Sequence, residues 1–400
     1  MSRLDALVIG GGLTGIATAY YLAKGGATVT VAEKDQLNRG ASGRNAGSLH
    51  FQLEYRLMEH EGTLDKELAH YAALAQISIA DWKHLETELR QPIGLVMHGG
   101  LMIAETAEQI AKLERKAAIE RAQGVSVELL DREGVLSLAP YLSDSVLGAL
   151  CCPDEGHCNP RLLTHAYARE SESMGVNITT GTTVEDLRRD GGLWYATLRS
   201  PERGSWCVKA DNIINAAGTW SGYVAAKAGI TLPIYPVALM MTVTEKLPPM
   251  MNHLLQHVGR KLSLKQTDDG NLLIGGGWLA RLPDKSQWLE KNYRAEIDMI
   301  GLAQNLKTAQ QVMPVVEQVA VLRCWTGTTA LTNDQLPIIG ASKTAPRFFT
   351  AVGGSGFTYG PTYARLLSEL ILQGESSFPL DPYSPDRPGL HATQQGAGAI

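Results

Sequence analysis

Residues 5–9, Asp-Ala-Leu-Val-Ile, make a short apolar run with no polar alternation, and three glycines follow it at once. A run of this kind suits a parallel strand buried on both faces. The glycines open Gly10-Gly11-Gly12-Leu13-Thr14-Gly15, and Ile16 to Ala23 then has helical spacing and propensity. Gly25-Gly26 stops that helix, and Thr28-Val29-Thr30-Val31-Ala32 reads as a second strand ending in Glu33. The whole segment is a strand–helix–strand unit carrying GxGxxG at its first turn.

Each glycine there has a separate physical task. Gly10 permits the tight turn, Gly12 lets a pyrophosphate touch bare backbone, and Gly15 brings helix and strand together. The N–H groups at the helix start face the negative charge, and Leu13 and Thr14 of the same segment are cofactor-binding candidates. Glu33 lies 33 − 15 = 18 residues beyond Gly15, with Lys34 next to it, and would accept hydrogen bonds from a ribose diol. An acid at that point without an arginine beside it disfavours a 2′-phosphate, and with it NADP. NAD and FAD remain open on these residues alone.

Four hundred residues suggest about two domains, at roughly 100–200 residues each. With 44% hydrophobic and 19% charged residues and 41 glycines, the chain is globular and rich in tight turns. The balance 36 − 41 = −5, with no long run of either sign, disfavours nucleic acid and anionic membrane as partners. The ligands should be small. No stretch reaches the ~18 apolar residues of a membrane span, and Met1-Ser2-Arg3-Leu4-Asp5 runs into a strand instead of a secretion signal, so a cytoplasmic address is expected. Cys151, Cys152, Cys158, Cys207 and Cys324 are odd in number and lack a CxxC pair, which predicts reduced thiols and no metal site.

Three further segments could press bare backbone against a ligand. They are Arg39 to Ser48 (RGASGRNAGS), the strand-like Asp211 to Ala217 ending in Gly218, and Ala351 to Gly360 followed by Pro361 and the amphipathic run Thr362 to Leu372. The ordered set GGGLTG, Glu33, ASGRNAGS, NAAGTWS, D-x-x-P-I-I-G and GGSGFTYG resembles the D-amino-acid-oxidase (DAO) superfamily of FAD-dependent amine oxidoreductases, which includes glycine oxidase and sarcosine oxidase, from residue 5 to about 378. Within it, ASGRNAGSLH followed by a long helical segment, and RCWTG before Asp334, most resemble the FAD-carrying B or β subunits of opine (octopine and nopaline) dehydrogenases. Proline and hydroxyproline dehydrogenase β subunits and hydrogen cyanide synthase stand beside them.

The resemblance implies an α/β fold: a Rossmann-type FAD-binding domain, like that of glutathione reductase or p-hydroxybenzoate hydroxylase, with a mixed-sheet α+β substrate domain. The motifs place the discontinuous FAD domain in 1–55, 145–225 and 320–380, the substrate domain in 56–144 and 226–319, and a tail in 381–400. The Pro-rich stretch from Pro379 onward is expected to be ordered poorly or only by a partner. Helical spacing appears in 56–92, in 105–123 and from Trp288 to Leu306; strand-like runs appear at Leu95–Ala104, Val237–Thr244, Lys261–Gln266 and Leu272–Gly276. That sheet should roof the flavin. Gly10, Gly12 and Gly15 would hold the pyrophosphate and Glu33 the adenosine ribose; Val184 would meet adenine, and Ala217, Gly218 and Trp220 would flank the adenosine half. Ser42, Arg44, Asn45, Ala46, Gly47 and Ser48 would line the path to the isoalloxazine, and Gly353, Gly354, Gly356, Phe357 and Thr358 would face its pyrimidine ring. Loop amides and the positive end of the next helix would stabilise the charge that arrives there on reduction.

The implied chemistry is oxidation of a C–N bond by hydride transfer to flavin N5, followed by imine hydrolysis. Two departures refine it. Glycine-oxidase-like chains read W-x-G-x-R-P, with the arginine clamping a carboxylate, whereas this chain reads Trp325-Thr326-Gly327-Thr328-Thr329-Ala330, so Thr329 stands in the arginine's place. The carboxylate then falls to Thr328, Thr329, Arg260 or Arg323, with His50, Gln52, His253, His257, Trp278 and Tyr359 as candidate walls; Thr329, His50, Thr328 and Tyr359 are the catalytic candidates. Leu273 stands where sarcosine-oxidase-like chains carry an oxygen-activating lysine, and Gly327 where they bond flavin through cysteine. A noncovalent FAD and a dehydrogenase follow. It would act on an opine-type amine carrying carboxylates and pass electrons to a larger α-type subunit and a small iron–sulfur subunit, with FMN or an iron–sulfur cluster borne by those partners. The alternatives are a self-contained D-amino acid, glycine or sarcosine-type oxidase, a proline or hydroxyproline dehydrogenase β subunit, and a flavin-bound scaffold without chemistry of its own.

Overall fold

Ala6 and Val8 of the first strand, Arg3–Ile9, enter one apolar cluster, while Leu7 and Ile9 enter another, which is why the run needs no polar alternation. The structure is a computed structural model and describes residues 3–58, 62–282 and 294–390. The first strand lies in parallel between Val29–Ala32 and Gly204–Asn215. The spatial order is Ile338–Ala341, Phe348–Val352, Gly204–Asn215, Arg3–Ile9, Val29–Ala32 and Asn177–Thr179. Of these pairings, that of Ile338–Ala341 with Phe348–Val352 is antiparallel and the others are parallel. Helices Leu13–Lys24, Pro160–Ser173 and Gly360–Gln373 pack on the Ala6 and Val8 face. The hairpin Thr183–Asp190 and Leu193–Ser200 extends antiparallel from Gly204–Asn215 and adds Val184, Leu187 and Trp194 to the other cluster.

The first helix starts at Leu13, directly after Gly12, three residues before the apolar spacing indicates. Its first turn therefore belongs to the glycine segment. The 56–92 stretch comprises the short helix Tyr55–Met58 and the long helix Asp65–Leu89; residues 59–61 lie outside the described ones. Asp65 and Glu67 suit the positive end of the long helix, and Leu68, Tyr71, Ala72, Ala75, Ile79 and Trp82 form its buried stripe. Helix Ala107–Ala122 starts at Thr106, whose side chain accepts from the Gln109 N–H.

A second sheet runs in the order Val321–Leu331, Tyr235–Lys246, Asn271–Gly275, Ser263–Gln266, Leu254–His257, Gly100–Ala104, Gly148–Cys152 and Glu128–Asp131. Gly148–Cys152 and Val321–Leu331 thus pair in this sheet, although their chain segments read as parts of the first. Strand Gly100–Ala104 is shorter than the run from Leu95. Leu264, Leu272 and Ile274 pack on Ala309 and Val312 of helix Met299–Val312, which leaves the alternate side chains for the opposite face. That helix begins after its cap Asp298, eleven positions later than Trp288 suggests, and 283–293 lie outside the described residues.

The expected loose tail is corrected over 379–390. Leu380, Tyr383 and Leu390 are buried, and Arg387 donates to both oxygens of Asp334 at 2.8 Å. A guanidinium that finds a bidentate carboxylate is sufficient anchor for a Pro-rich segment. Residues 391–400 lie outside the described ones. Among the described residues, no helix is long and apolar enough to cross a membrane.

Candidate active site

A continuous cavity of about 1990 Å³ runs from the first glycine turn to the inner face of the second sheet. It exceeds the ~300–1,000 Å³ usual for a drug-sized ligand, so a dinucleotide and a small molecule fit together. At one end it is lined by Gly10, Gly12, Thr14, Glu33, Lys34, Val184, Ala217, Gly218 and Trp220. A Cβ on Gly10 would meet the Ala216 carbonyl oxygen at 2.4 Å, and one on Gly15 would meet the Gly10 carbonyl oxygen at 2.0 Å. These two glycines set the turn and the helix-to-strand approach. Gly12 is different, because its Cβ would meet Ser42 Oγ at 3.1 Å and nothing else close, so its backbone is bare to the cavity.

Glu33 does more than face a ribose. Its carboxylate accepts the Gly11 N–H at 2.6 Å and the Asp35 N–H at 2.8 Å, which ties the acid to the glycine turn itself. Burial pushes the Glu33 carboxyl upward, and those two N–H donors act against the rise. Lys34 lies 3.3 Å from the Trp220 ring centroid, and burial brings its ammonium down to about 8. Leu13 is fully buried and contributes through its N–H, which donates to Ser42 Oγ at 3.0 Å.

Ser42, Arg44, Asn45, Ala46 and Ser48 line the middle of the cavity. Asn45 folds the loop on itself by accepting the Gly47 N–H at 2.6 Å. Gly47, at φ 75°, stands where a Cβ would strike the Cys158 carbonyl oxygen, so its task is close approach. Opposite lie Gly353, Gly354, Ser355, Gly356, Phe357 and Thr358. Helix Asp65–Leu89 supports that loop from behind: Trp82 Nε1 and Ser78 Oγ both donate to the Thr358 carbonyl, at 2.6 and 3.2 Å.

At the far end the register Val237↔Thr329, Ala238↔Thr328 and Leu239↔Gly327 brings Thr328 and Thr329 to the cavity beside Tyr235, Val237, Leu239 and Met241. His50, Lys261 and Ser263 join them. Ser263 Oγ and His50 Nε2 are 3.4 Å apart, and the Nδ1 atom has no hydrogen-bond partner among the described residues. Burial lowers the His50 imidazole to about 4, so it is neutral near pH 7.

Several expected wall residues lie elsewhere. Tyr359 turns into the core, with its ring 5.8 Å from Tyr363 in a stacked arrangement and 4.9 Å from Tyr71. Gln52 is buried against Glu155 and Lys116, and His253, Trp278 and Arg323 do not line the cavity. Arg260 does line it, but Glu105 at 2.5 Å and Gln311 already take its guanidinium. His257, which also reaches the cavity, pairs with the same Glu105 at 3.0 Å. The sequence reading missed Glu54, Arg56, Lys261 and Ser263. Glu54 and Arg56 were detectable as the two opposite charges among the apolar residues Leu53, Tyr55, Leu57 and Met58.

The residues present fit an FAD. Bare backbone at Gly12 and Gly218, a helix N-terminus, a carboxylate and room beyond them would hold the two phosphates, the ribose and the ring. Glu33→Ala removes the acceptor of two N–H groups as well as a ribose partner. About tenfold or greater loss of retained FAD is expected, read as flavin absorbance after gel filtration. Full retention would show that the acid serves the turn alone.

The FAD dependent oxidoreductase (DAO) family profile matches residues 5–370. Mitochondrial dimethylglycine dehydrogenase of Rattus norvegicus is 27% identical over 409 residues, covering 98% of this chain and 46% of that protein. The chain thus spans about half the length of the mammalian dimethylglycine dehydrogenases that it matches. Sarcosine oxidase subunit beta of Rhodobacter capsulatus is 26% identical, covering 98% of this chain and 89% of its own. The crystal structure of glycine oxidase from Geobacillus kaustophilus superimposes with a TM-score of 0.83 at 26% identity, covering 97% of this chain and 99% of that one. With the glycine turn, its acid and the two-sheet cavity, a match along nearly the whole length establishes that the chain belongs to the FAD dependent oxidoreductase (DAO) family.

Proposed function

We propose that this chain is the FAD-bearing catalytic unit of an amine dehydrogenase acting on an opine-type secondary amine that carries carboxylates. The observation that carries the reading is the cavity's continuity: the glycine turn, the Arg44 loop, the Gly353–Thr358 loop and the Thr328–Thr329 wall border one space. FAD, when bound, supplies a two-electron acceptor for the hydride on the carbon beside nitrogen, and water then splits the resulting imine into an amino acid and a keto acid. His50 offers a neutral imidazole to a neutral amine, which adds no charge to oppose oxidation. Thr328 and Thr329 offer hydroxyls to the carboxylate end. Lys261, with no carboxylate partner among the described residues, supplies the cation that Arg260 and Arg323 do not.

Electrons pass in this reading to partner subunits, a larger α-type chain and a small iron–sulfur chain, with any FMN or cluster residing there. Leu273 at the position expected for an oxygen-activating lysine supports a dehydrogenase. Likeness to a sarcosine oxidase subunit, and to half of dimethylglycine dehydrogenase, supports a chain that works within a larger assembly. Likeness to glycine oxidase along its full length favours a second reading, a self-contained oxidase. The same test separates them. Anaerobic addition of octopine, nopaline, proline, sarcosine and glycine should bleach the flavin with an opine, and purified chain in air should make little peroxide. Thr329→Ala should retain FAD and raise KM about tenfold. Bleaching by glycine or sarcosine alone, with rapid peroxide formation, would select the oxidase.

A further inference from the structure

Arg56 has every edge of its guanidinium engaged inside the cavity. Nε and Nη2 bind the Glu54 carboxylate at 2.9 and 3.3 Å, Nη1 donates to Gln335 Oε1 at 2.7 Å, and Nη2 donates to Ser355 Oγ at 3.1 Å. Ser355 Oγ also donates to Glu54 Oε1. The two neutral partners share an unusual feature. Gln335 at φ 61° and Ser355 at φ 54° are non-glycine residues in the left-handed region, which costs energy unless neighbouring contacts hold it. Arg56 also fills the space over Gly354, where a Cβ would come within 2.8 Å of Nη2.

The pair is balanced in charge. Burial would raise the Glu54 carboxyl, but the guanidinium and the Ser355 hydroxyl prevail and hold it at about 2. Glu54 in turn keeps the Arg56 guanidinium above its ordinary value against the effect of burial. A fixed cation beside a site that gains negative charge on reduction would favour the reduced state, and a fixed anion would oppose it. Here each cancels the other.

We propose that Glu54 and Arg56 are positioning and charge-setting residues of the cofactor site: Arg56 holds the two left-handed turns at 335 and 355 together, and Glu54 mutes the arginine's influence on the cofactor's reduction potential. This rests on the reading that the Gly353–Thr358 loop meets the redox ring of FAD. Neither side chain is free to clamp a substrate carboxylate.

The test is a dye-equilibrated anaerobic redox titration of the purified flavoprotein, with the melting temperature recorded in parallel. Glu54→Gln leaves Arg56 unmuted and should raise the potential, while Arg56→Gln leaves Glu54 unopposed and should lower it. Each change should reach about tenfold in the two-electron equilibrium, or roughly 30 mV. The double variant Glu54→Gln/Arg56→Gln should return towards the parent potential. Structural damage alone would move both single variants in one direction. Shifts of the same sign, or none, would overturn the proposal, and if Arg56→Gln does not fold, an unchanged or lowered potential in Glu54→Gln overturns it by itself. A parent chain that refuses FAD altogether would defeat the underlying functional reading instead.

Discussion

Replacing Lys116 with methionine should destabilise the protein by about 3–5 kcal/mol, because it strands a buried carboxylate. Lys116 and Glu120 are both fully buried and lie one helical turn apart, at 2.8 Å. Lys116 Nζ also donates to Gln52 Oε1 at 2.9 Å. Glu120 accepts the Leu53 N–H at 2.6 Å, and Glu155 accepts the Phe51 and Gln52 N–H groups at 2.8 and 2.9 Å. Three consecutive backbone amides between His50 and Glu54 are thus tied to two interior carboxylates with one lysine between them. Burial lifts the Glu155 carboxyl to about 7, so this anchor is itself expensive to keep ionised. Urea unfolding checks the prediction. The double variant Lys116→Met/Glu120→Leu should recover most of the loss, and a single variant within about 1 kcal/mol of the parent would refute it.

Lys265 should behave in the opposite way. It is 4% exposed, makes no salt bridge among the described residues, and burial brings its ammonium down to about 7. The folded value lies below the unfolded one, so between about pH 7 and 10.5 the unfolded chain binds more protons and stability rises with pH. Below that window the full desolvation cost is present. A fall of 10.5 − 7 = 3.5 units at ~1.36 kcal/mol each sets an upper bound near 5 kcal/mol. Lys265→Met should therefore stabilise the protein by about 3–5 kcal/mol near pH 6.5, and by only about 1 kcal/mol near pH 9.5. Paired unfolding curves at the two pH values decide the matter. An equal change at both would mean that packing, not ionisation, is responsible.

The two lysines mark where sequence reading stops. Lys116 reads as one more charge on an amphipathic helix, and Lys265 stands among the polar residues of strand Ser263–Gln266 without announcing a cost. Their opposite signs come from carboxylates that lie near one and not the other. The strand–helix–strand unit at the N-terminus was legible because steric need shows in the sequence itself: only glycine fits against the Ala216 and Gly10 carbonyls, and only a two-faced strand is apolar at Ala6, Leu7, Val8 and Ile9 alike. Sheet membership was harder. Val321–Leu331 and Gly148–Cys152 fall in segments assigned to the FAD domain by their motifs, but they pair with Tyr235–Lys246 and Gly100–Ala104, which are distant in sequence.

The same limit governed the site. Thr328 and Thr329 reach the cavity from strand Val321–Leu331 and His50 from just beyond the Arg39–Ser48 loop, whereas Tyr359, next to the last glycine loop, begins a helix and turns inward to Tyr363. Arg260 looked free because Glu105, which engages it, belongs to another part of the chain. The tail looked unstructured for a like reason, since Arg387 draws its order from Asp334.

One consequence of the first sheet concerns the ribosome. Strand Arg3–Ile9 is made about 200 residues before its neighbour on one side, Gly204–Asn215, and at ~5–20 residues per second the nascent chain extends for roughly 10–40 s before that partner exists. During that interval an apolar segment with an unpaired edge is a natural client for chaperones, and slower translation through the codons between the two strands would lengthen the time it must be guarded.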